Sequence, residues 1–187
     1  MINIMNFYTH LAREAIEKFL KEKKIIEPPS YLPENFFKEK KGVFVTLTLN
    51  GNLRGCMGTY LPTQKNLAKE IIVNAISSAF SDPRFPPLSL DELKKIKISV
   101  SILEKPERIY PSPAKTIEEA KKFLDPKIYG VIVRDYFNPQ KAGLLLPGIE
   151  EIKSVDEQLK IAAMKGGIDL FFDSIEILRF KTQKYEE

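Results

Sequence analysis

At 187 residues, 43% of them apolar and 29% charged, the chain has the composition of an ordinary globular protein with material for a substantial core. No apolar run approaches the roughly 18 residues that cross a bilayer, and the charges within 1–20 argue against a signal-peptide core. The 29 basic and 25 acidic residues interleave to a net charge of +4, the pattern of solvated faces rather than of a nucleic-acid surface, and a single cysteine fits the cytoplasm.

The first predicted element is a helix over 6–23, where Phe7, Leu11, Ala15 and Phe19 repeat at four-residue spacing. Pro28, Pro29 and Pro33 then hold an extended connection. Residues 43–49 alternate apolar and polar, and Asn50-Gly51 follows, a strong two-residue hairpin signal, so 52–59 is the expected return strand. A broad apolar stripe predicts a buried helix over 64–80. It ends at Asp82-Pro83-Arg84-Phe85-Pro86-Pro87, a bend stiffened by proline. Ser89 with Glu92 reads as a capping box for a short helix, and 96–102 as a half-buried strand. Further on, a helix is expected over 116–124, strands over 129–136 and 142–146, and a helix over 154–164 closing at Gly166-Gly167. A last strand is expected over 174–184. Strands of hairpin type mixed with helices indicate an α+β fold with a mainly antiparallel sheet.

Cys56 is the only cysteine, so it cannot belong to an intramolecular disulfide. It stands in Leu53-Arg54-Gly55-Cys56-Met57-Gly58-Thr59, where the glycines mark a bend or a close approach to the backbone. Alternation along a strand puts Arg54 and Cys56 on one face, and a guanidinium beside a thiol favours the thiolate. The competing role is a buried cysteine acting as a small apolar filler. The bend is expected to approach this hairpin, with Phe85 in the core and Asp82 or Arg84 near the thiol. Glu104, at a strand end, and Lys165, at a helix end, complete the candidate set. Each of these four charged residues also has an ordinary structural reading. The sequence lacks clustered histidines or cysteines for zinc, a phosphate-cradling glycine loop and a dinucleotide fingerprint.

The motifs Leu53-Arg54-Gly55-Cys56-Met57-Gly58, Asp82-Pro83-Arg84-Phe85-Pro86-Pro87, Gly143-Leu144-Leu145-Leu146-Pro147 and Lys165-Gly166-Gly167 closely resemble those of the AMMECR family, over nearly the whole chain. The resemblance implies one domain over 1–187, in two unequal lobes with a cleft between them. The larger would hold roughly 1–104 plus 150–187 and the smaller roughly 105–149, with the Cys56 segment facing the cleft. It implies no established biochemical activity. Prokaryotic members resemble protein A of the AmmeMemoRadiSam group, which travels with a Memo-like protein and a radical SAM protein, and these are the partners it suggests. Two positions depart from many relatives: Ala163 stands where a second cysteine is common, and Tyr129 where His or Asp is.

Two functions are thus in contention. One is a thiol-dependent enzyme or enzyme component, with Cys56 as nucleophile or thiolate ligand, Arg54 beside it, and N–H groups around Gly55 and Gly58 holding an oxyanion. The other is a non-catalytic module that captures a ligand or a partner protein, with Arg54 and Arg84 reading a small anionic group. Nucleic-acid binding is a weaker third. The cofactor is unknown, no metal is assigned, and a homodimer is left open.

Overall fold

The computed structural model describes residues 6–187. Two compact units divide it, one of 6–103 with Gln183–Glu187 and the other Glu104–Thr182. The fold is α+β, with two antiparallel four-stranded sheets rather than one.

In the first unit, α1 (Phe7–Glu22) starts where the Asn6 side chain accepts from the Tyr8 and Thr9 N–H groups, and it ends at Lys23 in the left-handed region. A single turn, α2 (Asn35–Lys38), follows the prolines and buries Phe36. β1 (Val43–Leu49) and β2 (Asn52–Thr59) form the hairpin; Asn50 and Gly51 both take positive φ, as a two-residue turn of this kind requires. α3 (Leu67–Phe80) begins three residues later than the expected 64, because Asn66 caps it through the Lys69 N–H. The predicted capping box is present at α4 (Leu90–Leu93), and β3 (Ile96–Leu103) pairs with β1. Val43, Val45 and Leu47 face a core completed by Leu11 and Ile16 of α1, Ile71 and Ala75 of α3, and Ile98 and Val100 of β3.

The second unit holds β4 (Glu107–Tyr110), α5 (Ile117–Lys121), β5 (Gly130–Asp135), β6 (Ala142–Leu145), α6 (Val155–Lys165) and β7 (Ile175–Phe180). Its sheet runs β4-β7-β5-β6. Leu159, Ala162 and Ala163 of α6 meet Val131, Val133 and Ile177 in its core. That core explains why 150–182 packs with this unit and not with the chain up to 104. The expected final strand is also two: β7 in this sheet, then β8 (Thr182–Glu186) beside β3 in the other. Among the described residues no helix is long and apolar enough to cross a membrane.

Candidate functional site

From Leu49 opposite Asn52, an unbroken register would place Cys56 opposite Val45, in the core row. Instead the register shifts between Leu47 and Thr48, with Leu47 opposite Gly55 and Thr48 opposite Leu53, so Arg54 is an extra residue on β2. Every later residue of β2 thereby changes face. Cys56 comes opposite Thr46, in the row that points away from α3, and the Thr46 hydroxyl donates to its Sγ at 3.3 Å. The thiol is half-buried. Arg54 is buried, and the register shift breaks the regular alternation from which Arg54 and Cys56 were expected to share a face.

β2 is an edge strand, and an open edge leaves backbone groups to be satisfied. Asp82 and Arg84 do this for Cys56. Its N–H donates to Asp82 Oδ2 at 2.8 Å, and its carbonyl accepts from Arg84 Nη2 at 3.3 Å. Asp82 is itself gripped by Arg84 through Nε at 3.0 Å, Nη2 at 2.7 Å and the backbone N–H at 3.1 Å. The Arg84 guanidinium is the chief reason the Asp82 carboxyl lies far below the usual range; the Cys56 and Arg84 N–H groups add to it. Arg84 is held above its ordinary value, first by Asp82, and the Cys56 sulfur contributes too. Arg84 remains exposed, whereas Asp82 is buried.

Arg54 serves another carboxylate. Its Nε and Nη2 meet Glu92 at 2.7 and 3.1 Å, and Nη2 also reaches the Pro86 carbonyl at 2.9 Å. Glu92 is lowered to about 2, first by Arg54 and then by Ser89. Phe85 is half-buried rather than a core residue; its ring lies 5.7 Å from the Arg54 guanidinium carbon and 5.5 Å from that of Arg84. The cation adjoining the Cys56 backbone is therefore Arg84, and Arg54 fastens the bend.

The glycines serve approach by the protein itself. A Cβ on Gly55 would lie 2.2 Å from the Ser78 carbonyl of α3, and one on Gly58 would lie 2.3 Å from the Val43 carbonyl and 2.4 Å from the Phe44 ring. Neither therefore offers open space on its Cβ side for a ligand. Ser78 also uses its hydroxyl, accepting from the Met57 N–H at 2.9 Å and donating to the Val45 carbonyl at 2.8 Å. Glu70, buried in α3, accepts from Thr59, the Thr63 and Gln64 N–H groups and Asn74, and so pins the loop between β2 and α3. Thr46, Ser78 and Glu70 escaped the sequence reading. The signal for Thr46 was its place in the alternating hairpin, which only the bulge makes informative.

Glu104 and Lys165 belong to the second unit. Glu104 is exposed, and its N–H donates to the Lys181 carbonyl at 3.0 Å. Lys165, exposed at the end of α6, donates to the Leu144 carbonyl at 2.9 Å. Tyr129 lies under the Arg179 guanidinium at 4.5 Å, and Ala163 is a core residue. Among the described residues no three histidines, cysteines or carboxylates gather as metal ligands would.

Fold and hairpin together describe an α+β protein with one half-buried thiol on a bulged edge strand. Residues 9–185 match AMMECR1, and the chain belongs to that family. It is 48% identical over 180 residues to a protein of Thermotoga maritima, covering 96% of this chain and 97% of that one. A protein of Clostridium acetobutylicum is 43% identical over 96% of this chain, which spans 36% of that longer protein. The crystal structure of an uncharacterised Pyrococcus horikoshii protein, PH0010, superposes with a TM-score of 0.85 at 36% identity, covering 97% of this chain and 90% of that one.

Proposed function

We propose that this chain is a thiol-dependent enzyme, or a component of one, in which Cys56 is the reacting group. The observation that carries this is the bulge at Arg54, which takes Cys56 out of the core row and sets its sulfur against the Thr46 hydroxyl. An apolar filler needs neither the bulge nor a hydroxyl neighbour. Asp82 and Arg84 fix the Cys56 backbone from the open edge, so the sulfur is held by rigid elements. Arg84, exposed and bonded to the Cys56 carbonyl, presents a guanidinium suited to a small anionic substrate. Memo-like and radical SAM proteins, in the cytoplasm, remain the partners this reading takes from the family resemblance; no cofactor is assigned.

The alternative, a ligand-capturing module, is favoured by one observation. Phe85 lies near two guanidiniums, and the outer one is exposed, an arrangement suited to an anion without any covalent step. Iodoacetamide alkylation separates the two readings. Wild type should lose its thiol at pH 7 in the folded state at least as fast as the same chain unfolded in urea. A native thiol that resists alkylation and reacts only on unfolding would leave the capture reading.

A further inference from the structure

We propose that a cavity of about 220 Å³ in the second unit, lined by Glu104, Lys105, Glu107, Tyr129, Arg179 and Lys181, binds the phosphate group of a small phosphorylated molecule. Three neighbouring strands bring these residues together. Glu107 of β4 pairs with Arg179 of β7, and Phe180 of β7 pairs with Gly130 of β5, so Tyr129 and Lys181 flank one end of the same ladder. The Glu104 N–H, bonded to the Lys181 carbonyl at 3.0 Å, brings Lys105 to that end as well.

The walls are fixed, and two of the cations are not neutralised. Arg179 is fastened through Nε by Glu107 at 3.0 Å and through Nη1 by the Phe123 carbonyl at 2.8 Å, and its guanidinium carbon lies 4.5 Å from the centre of the Tyr129 ring. Tyr129 is held at both ends of its backbone. Its N–H donates to the Asp125 carbonyl at 2.8 Å, and its carbonyl accepts from the buried Gln158 amide at 2.8 Å. Its hydroxyl has no hydrogen-bond partner among the described residues. Lys181 Nζ lies 5.6 Å from the centre of the same ring, and neither it nor Lys105 forms an ion pair among the described residues. Glu104 lines the cavity too, yet it pairs with neither lysine. Walls held in this way lose little entropy when a ligand enters.

Charge and size select the ligand. Two unneutralised ammoniums lining one cavity disfavour each other, and an anion between them turns that cost into attraction. They answer the roughly two negative charges of a phosphate monoester at neutral pH. Together with the Tyr129 hydroxyl they supply donors to more than one phosphate oxygen. The cavity is smaller than the roughly 300 Å³ at which sites for drug-sized ligands begin, so the rest of the molecule is short. Glu104 and Glu107 can only accept hydrogen bonds when ionised, which favours hydroxyls on that remainder and opposes a second acid group. This inference is independent of any role for Cys56.

Amide NMR with glycerol 3-phosphate as the probe, titrated at constant ionic strength so that screening does not change, tests it. The Lys105, Tyr129 and Lys181 resonances should shift saturably. Lys105→Ala combined with Lys181→Ala should raise the dissociation constant by at least about tenfold, the loss expected when charge-assisted hydrogen bonds are removed. The rest of its spectrum should stay unchanged, because both side chains are exposed. Lys122→Ala combined with Lys160→Ala removes the same charge from exposed positions elsewhere in the unit and should leave the affinity as it was. Absence of a saturable shift in wild type overturns the proposal. So does equal binding by the Lys105 and Lys181 variant, or an equal loss in the Lys122 and Lys160 variant. Acetate that binds with the same dissociation constant also overturns it, since the cavity would then accept any monoanion.

Discussion

Asp82 stabilises the hairpin by two separate acts, as a charge for Arg84 and as an acceptor for the Cys56 N–H. Asp82→Ala strands that N–H beside a buried position and should cost about 1–3 kcal/mol in urea unfolding. Asp82→Asn keeps an acceptor and should cost less; equal losses would mean that the ion pair alone matters. Cys56→Ser should shift the melting temperature by only a few degrees, because the sulfur is half-buried and already beside a hydroxyl. A fall of 1–3 kcal/mol, roughly the expectation for a hydroxyl stranded in an apolar core, would return Cys56 to the filler role. Asp82 and Glu92 also set the acid limit. Both carboxyls are lowered in the folded state, Asp82 chiefly by Arg84 and Glu92, to about 2, chiefly by Arg54. A lowered carboxyl adds stability above its unfolded value near roughly pH 4 and loses it as the pH falls through the folded value. Stability should therefore decline from about pH 4 toward pH 2, and Glu92→Gln should make that decline shallower. An unchanged acid limb in that variant would show that the Arg54–Glu92 pair contributes nothing.

Hairpin turn, capping box and strand alternation were legible in the sequence because each is decided by residues a few positions apart. The bulge was not. Counting back from Asn50-Gly51 gives an unbroken ladder, and nothing local displaces it; Arg54 is drawn out of register toward Glu92 and Pro86, which lie more than thirty positions along. The site was thus half visible. Cys56 and the proline bend were found, but the cation next to Cys56 was expected to be Arg54, when it is Arg84 that reaches the Cys56 carbonyl. The glycines did mark a close approach to the backbone, and what approaches Gly55 is the backbone of α3. Gly55→Ala should accordingly cost about 1–3 kcal/mol or prevent folding, because the obstructing atom is a helix carbonyl and cannot swing aside. A variant of wild-type stability would mean that α3 can recede from the hairpin.

At the scale of the whole chain, 174–184 read as one strand because no proline or glycine interrupts it. The structure breaks it at Lys181, whose carbonyl takes the Glu104 N–H, and gives its halves to different sheets. Periodicity reports which face of a strand is apolar and is silent about which sheet receives it. The division of 104–182 into its own unit was hidden for the same reason. What the whole fold does for Cys56 is to carry it on a rigid edge hairpin, in the outward row, with its backbone gripped by a buried aspartate and an exposed arginine. The most direct test is the rate of iodoacetamide alkylation of native wild type at pH 7, followed by intact mass and compared with the same chain unfolded in urea. A reacting thiol predicts that the native protein is alkylated at least as fast as the unfolded one. A native protein that resists alkylation, and reacts only on unfolding, would contradict it.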